Sequence, residues 1–295
     1  MKCDLHVHSL HSGSCNIPFF NDLCRECYSE PEQVYRELKR QGMDLVTLTD
    51  HDSIDGAEGL RRYPDFFLSE EVTCRMPSGT FAHVGVYNIS ERQHMEIQRR
   101  RTDLPALLAY LSEARLFFCV NHMFSSLTGK RHLDDFDWFE EYFPAFEVLN
   151  GQMLGFHNRK ARELAEQMGK AGIGGSDAHA IASVGTAYTE VPRARSAEEF
   201  FSGLREGRGI AGGGHGGYLK LTRDVFSIAS GMIRENPWKA IVATLAPAIP
   251  LATMAVMVSE AEFARRWSNR FRPEESRRSR SGRFPAPIQV AERFA

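Results

Sequence analysis

The sequence predicts an α/β fold, and three observations carry that reading. Short apolar stretches of strand length alternate with amphipathic stretches of helix length over most of the chain. Histidines and acids recur in or beside the C-terminal halves of the proposed strands, where βα architectures build their sites. A chain of 295 residues is long enough for one large α/β barrel, or for a barrel with an appendage.

Taken in order, the first strand covers Lys2 to Val7. A polar stretch containing Cys15, Cys24 and Cys27 follows. A helix then opens near Ser29, with Pro31 in its first turn, Gly42 just past its end and an apolar face of Val34, Tyr35 and Leu38. Met43 to Leu48 reads as a buried strand that delivers Asp50 and His51. Phe66 to Val72 and Phe81 to Tyr87 read as the next two strands. Leu104 to Ala114 is a helix feeding the strand Leu116 to Val120, which ends on Asn121-His122. Phe143 to Leu149 forms a further strand carrying Glu147, and Arg159 to Ala171 a helix. The short strand Ile173 to Gly175, the stretch Val184 to Val191 and the helix Ala197 to Glu206 close a core over 1–217. The glycine run Gly212 to Gly217 reads as a hinge, with His215 a loop histidine.

Beyond it, 218–260 reads as an apolar helical appendage, since Leu221, Val225, Ile228 and Met232 share a helical face. Ala240 to Val258 is uncharged but interrupted by Pro247 and Pro250. Two readings stand: packed helices joined at the prolines, or a membrane-associated segment beside acidic headgroups. The Arg-rich tail over 261–295 is expected to be disordered.

Composition is that of a globular enzyme, with 42% hydrophobic and 25% charged residues and a net charge of -2. That charge gives no global attraction to nucleic acid. Met1-Lys2-Cys3-Asp4 enters a strand at once, so no signal peptide is expected. Six cysteines then read as reduced thiols in a cytoplasmic protein, peripheral to the inner membrane face if 240–258 meets lipid. Cys24-x-x-Cys27 with Cys15 offers an incomplete zinc set, against the plainer reading of partly buried thiols.

The chemistry lies in the motifs. In Asp4-Leu5-His6-Val7-His8 a strand turns residues i and i+2 to one side, so His6 and His8 can grip one ion. Asp177 and His179 in Gly175-Ser176-Asp177-Ala178-His179 can do the same. Mixed imidazole and carboxylate suit zinc, manganese or iron rather than calcium. Such a polynuclear site points to hydrolysis.

In chain order, Asp-Leu-His-x-His-Ser, Thr49-Asp50-His51-Asp52, Glu71-Val72-Thr73, His83, Asn121-His122 and Gly-Ser-Asp-Ala-His resemble the PHP (polymerase and histidinol phosphatase) family over Met1 to Pro192. The resemblance implies a distorted seven-stranded (β/α) barrel with two or three divalent ions (manganese, zinc or iron) at its mouth, and phosphoester hydrolysis. Carried over by position, His6, His8, Glu71 and Asp177 hold a first ion. Glu71, His83 and His122 hold a second, while His51 and His179 belong to a third. Glu71 takes the ligand place because Val-Thr follows it directly, and Glu70 then faces a helix.

One departure stands out: a family aspartate falls where this chain has Gly13, with His11, Ser14 and Cys15 as nearby substitutes. The implied reaction is attack by a metal-bound hydroxide on a small phosphorylated metabolite or nucleotide. His51 or His179 would protonate the leaving oxygen if the third ion is absent. Lys130-Arg131 reads either as a phosphate contact or as a solvated loop. Two other functions stay open: a nuclease acting on nucleic-acid ends, and a non-catalytic metal-binding module at a membrane.

Overall fold

The computed structural model describes residues 1–13 and 24–270 of the chain. Its centre is a five-stranded sheet ordered β2-β3-β4-β5-β6, made of Ser69–Arg75, Phe81–Tyr87, Phe117–Val120, Ala145–Asn150 and Ala171–Gly175. A smaller sheet orders β1, β7 and β8, which are Lys2–Cys3, Ala187–Glu190 and Ile210–Gly213. The architecture is mixed α/β.

Among the described residues the expected distorted seven-stranded (β/α) barrel does not appear as a closed sheet, and two local causes are visible. First, β2 and β3 pair antiparallel, with Thr73 opposite His83. The connection between them is a tight turn in which Met76 and Thr80 pair, far too short for the crossover that parallel strands require. Second, the expected strand at Met43 to Leu48 makes only a single bridge, Val46 to Phe66. Side chains take amides that a ladder would have used. Asp44 accepts from the Lys2 N–H at 2.7 Å, Thr49 Oγ1 from Val7 at 2.9 Å and Asp50 from Ser9 at 2.6 Å. Residues 44–51 are therefore stitched between the N-terminal segment and β2 without becoming a regular strand.

Helices cover the outer faces. Pro31–Arg40 (α1) buries Val34 and Leu38. Glu91–Arg100 (α2), which periodicity does not announce, opens on a capping box between Ser90 and Gln93. Leu104–Glu113 (α3), Leu133–Tyr142 (α4), Gly155–Met168 (α5) and Ala197–Arg205 (α6) complete the shell. Phe118, Phe136, Phe139, Phe143 and Phe146 lie wholly buried in the largest core cluster, between the sheet and these helices.

The glycine run expected as a hinge is partly strand, since Gly212 and Gly213 pair with Tyr188 and Ala187. Tyr218–Glu235 (α7) follows, then a 3-10 stretch at Pro237–Ala248 and the helix Ile249–Arg270 (α8). Residues 261–270 thus continue a helix where a tail was expected; 271–295 lie outside the described residues. Polar contacts cross position 217 repeatedly. Lys220 Nζ donates to Gly151 O at 2.6 Å, and buried Asp224 accepts from Ser183 and Gln152. Glu260 of α8 accepts from the Ser126 amide at 2.9 Å. The run Ala243–Arg270 is the one helix among the described residues long and apolar enough to cross a membrane.

Candidate metal centre

The site forms where the N-terminal segment meets the ends of β2, β4, β5 and β6. Gly175 makes that approach possible: a Cβ there would sit 2.4 Å from the His6 Cβ and 2.5 Å from its backbone nitrogen. The closeness lets the Asp177 amide donate to His6 O at 2.5 Å. Asp177 and His122 both take left-handed backbone, with φ of 50° and 25°. Side chains other than glycine adopt it only where the surroundings enforce it.

Glu71 sits at the centre, fully buried. Its Oε2 lies 3.1 Å from His6 Nε2, 3.4 Å from His8 Nε2 and 3.3 Å from His51 Nε2. Its Oε1 lies 3.3 Å from His83 Nδ1 and 3.1 Å from His122 Nε2. One carboxylate thus faces two separate groups of imidazoles. Asp177 Oδ1 is 3.3 Å from both His6 Nε2 and His8 Nε2. Four sets of side chains bring single donor atoms within 4.8 Å of one another: His6-His8-Asp177, His6-Glu71-His122, His51-Glu71-His83 and His8-His51-His179. All eight residues singled out in the sequence meet in one cluster. Glu70 points away, to His94 and Gln98 of α2.

The donor set suits divalent cations. His8 Nε2, His83 Nδ1, His179 Nε2 and Glu26 Oε2 are buried without a hydrogen-bond partner among the described residues. Buried polar atoms ordinarily have one, so crowded lone donors around carboxylates match ions rather than an internal hydrogen-bond network.

A second layer of residues orients these donors. Glu147 Oε1 lies 2.8 Å from His6 Nδ1, and its Oε2 accepts from the His122 amide at 2.9 Å. Nδ1 of His6 therefore carries its proton and Nε2 is turned inward. Asn121 donates to Glu71 Oε1 at 2.8 Å and Asn150 to Asp177 Oδ2 at 2.9 Å. Ser12 Oγ lies 2.8 Å from His8 Nδ1 and accepts from the His51 amide at 3.1 Å. Fully buried Asp4 accepts from the amides of Ser176, His6 and Gly185, tying the two ends of the core together; burial nevertheless lifts its carboxyl to about 6.

The electrostatics divide the imidazoles. Burial, with the His179 ring, pushes His8 down to about 3. Burial acts in the same direction on His51 and His179, yet acids overcome it: Glu26 and Glu71 raise His51 to about 10, and Glu26 and Asp177 raise His179 to about 9. Glu71 is pushed up by burial, but His6, His51 and His83 hold it well below the usual carboxylate range.

Sequence reasoning missed one of these acids and left another unassigned. Glu147 was legible only as a strand residue, and Glu26 lay inside the cysteine stretch. The phosphate role considered for Arg131 fails: its buried guanidinium donates to the carbonyls of Met123 and Phe81 and to Thr128. The zinc reading of Cys24 and Cys27 also lacks support. Burial drives the Cys27 thiol up to about 12, and its Sγ lies 3.5 Å from His8 O. The five described cysteines form no disulfide. His11, a substitute considered for the acid missing at Gly13, gives its amide to Ser9 Oγ and belongs to none of the four donor sets. Ser14 and Cys15 lie outside the described residues.

Comparison with known proteins agrees. A family model described as PHP-associated matches residues 155–208. The fold is shared with a two-domain protein containing a predicted PHP-like metal-dependent phosphoesterase from Bacteroides vulgatus, at a TM-score of 0.54 and 20% identity over 78% of this chain and 70% of that one. These likenesses show a shared fold and a PHP-associated segment at 155–208. The uncharacterised protein MJ0417 of Methanocaldococcus jannaschii is 27% identical over 252 residues, covering 81% of this chain and 87% of the relative. A second protein of that organism, the uncharacterised MJ1587, is 31% identical over 72 residues, 24% of this chain and 41% of its own length.

Proposed function

We propose that this protein is a metal-dependent hydrolase that cleaves phosphate esters of a small phosphorylated metabolite or nucleotide. The observation that carries the reading is the division of Glu71, one oxygen toward His6, His8 and His51 and the other toward His83 and His122. His6, His8, Glu71 and Asp177 would hold a first cation, and Glu71, His83 and His122 a second. Bound divalent ions would polarise a phosphoryl oxygen and acidify a water. His51 and His179 stand beside His8, placed to share a further cation or to hand a proton to the departing oxygen.

A small cavity lies next to His179. It is lined by Tyr28, Gln33, Ser227 and Arg234, and has a volume of about 60 Å³. Arg234 is a fitting partner for a phosphate oxygen. The net charge of -2 offers no broad attraction to a polynucleotide.

Purified protein supplied with manganese is expected to hydrolyse an activated phosphate monoester and a mononucleotide. His8→Ala should abolish that turnover. Full activity in this variant would refute the assignment. Faster cleavage of an oligonucleotide than of a mononucleotide would instead favour action on nucleic-acid ends.

A further inference from the structure

The acid missing at position 13 has a counterpart elsewhere. The Glu26 amide donates to Gly13 O at 3.2 Å, so the backbone of Glu26 lies directly against the position where this chain lacks a carboxylate. From there its side chain enters the cluster: Oε1 is 3.0 Å from His179 Nε2 and Oε2 is 3.4 Å from His51 Nε2. Glu26 Oε2 and His179 Nε2 are both buried and make no hydrogen bond among the described residues. His179 Nε2 faces the other carboxylate oxygen, Oε1, without the alignment of a hydrogen bond, and Oε2 faces His51. The three imidazoles of His8, His51 and His179 already lie within ligand distance of one another.

The loop that carries Glu26 is fixed by α7. Arg25 Nε donates to Glu235 Oε1 at 2.8 Å, and Arg25 also donates to Leu10 O at 3.3 Å. Tyr28 packs on Gly231, where a Cβ would fall 2.5 Å from the Tyr28 Cγ. Gly231 thus lets the loop sit close to the helix.

We propose that Glu26 is the carboxylate ligand of a third divalent cation held by His8, His51 and His179, supplied from a different loop in place of the acid absent at Gly13. The proposal rests on the metal reading of the site. An isolated structural ion pair between Glu26 and the two imidazoles is the competing account, and metal stoichiometry separates the two.

Full-length protein is stripped with chelator, reloaded with manganese and weighed by native mass spectrometry with elemental analysis. Wild type is expected to take three ions. Glu26→Gln should take two, with the third weakened more than about 100-fold, beyond the usual loss for an outer-shell change. Glu26→Asp should retain the third ion with reduced affinity. Equal third-ion affinity in wild type and Glu26→Gln, or only two ions in both, would overturn the proposal. Uptake of no ion by wild type would sink the underlying metal reading as well. Anomalous scattering from a manganese-soaked wild-type crystal needs no variant. A peak about 2.0–2.2 Å from a Glu26 oxygen supports the proposal. A third ion held by the three imidazoles with Glu26 turned away overturns it.

Discussion

The two ends of the cluster are held in different ways. At the inner end, His6, Glu71, His83 and Asp177 are fixed by backbone: Asp177 N–H to His6 O at 2.5 Å, Glu71 N–H to Asp50 O at 3.2 Å and Asn121 N–H to His83 O at 3.0 Å. At the outer end, Glu26 rides on a loop whose position depends on α7, far away in sequence. The inner end inherits its precision from backbone bonds at and just beyond the strand ends. The outer end borrows its precision from a helix, so it should be separable by mutation.

The largest expected effect breaks the inner end. Asp177→Ala removes the acid shared by His6 and His8 and leaves those imidazoles facing each other across a void. Turnover should fall to background, and bound metal should drop by at least one ion per chain in elemental analysis. Retention of all the metal would show that the inner end does not depend on this acid.

Glu147→Gln should act more gently at the same end. The amide keeps the shape but no longer holds the His6 proton as a charge partner, so metal affinity should fall about 10–100-fold. Isothermal titration with manganese would measure it. A change confined to the outer end would contradict the assigned contact.

How much of this was legible follows the same division. His6-x-His8 could be read because a strand has a period of two, and Glu71 could be told from Glu70 because Val-Thr follows it directly, as the resemblance implies. Glu26 could not be read, because nothing in its local sequence reports the Arg25–Glu235 pair or the seat of Tyr28 on Gly231. Glu147 could be placed on a strand, but the face it presents depends on β4 and β6 on either side. The fold shows the same limit. The turn at Pro77-Ser78-Gly79 makes β2 and β3 antiparallel, which alternation of strand and helix lengths does not report. Helix α2 has a cap signal but buries only Ile97, so its periodicity is faint.

Gly231→Ala tests the outer end alone. The added methyl would force Tyr28 away from α7 at a cost of about 1–3 kcal/mol, the usual range for overpacking. Thermal denaturation should show that loss, and third-ion affinity should fall while the two inner ions stay. Equal weakening of all ions would mean that the ends are not separable.

The response to pH should also distinguish the ends. With Glu26, Glu71 and Asp177 beside them and no cation bound, His51 and His179 are raised to about 10 and 9, above the ordinary 6.5. Their stabilisation is fully present below pH 6.5 and is lost as pH rises through 9 and 10. His8 runs the other way: with a folded value of about 3, its neutral form favours the fold, and its contribution is lost as pH falls from 6.5 toward 3. A cation must displace the protons on His51 and His179, so outer-end affinity should rise with pH and binding should release protons. Calorimetry in buffers of different ionisation heat would count them. Uptake without proton release would place the cation away from those two rings.

The smallest effect on the cluster should come from a surface that neither end uses. Trp238, Ile241 and Leu251 are 73%, 74% and 77% exposed, and Leu245, Met254 and Val258 add to the same C-terminal stretch. Exposed apolar patches of this kind mark interaction surfaces. Burial of Thr253, Glu260 and Ala264 ties α8 to the body, and Glu260 bonds Ser126. A full crossing by this helix would strip those contacts, so if this stretch meets lipid, it would do so at the bilayer surface. Leu251→Ser should alter stability by less than about 0.5 kcal/mol and leave metal content unchanged. It should nevertheless weaken co-flotation with vesicles containing anionic lipid. Equal flotation of wild type and variant, or none by either, would separate this stretch from lipid and leave the cluster's two ends as the whole of the chemistry.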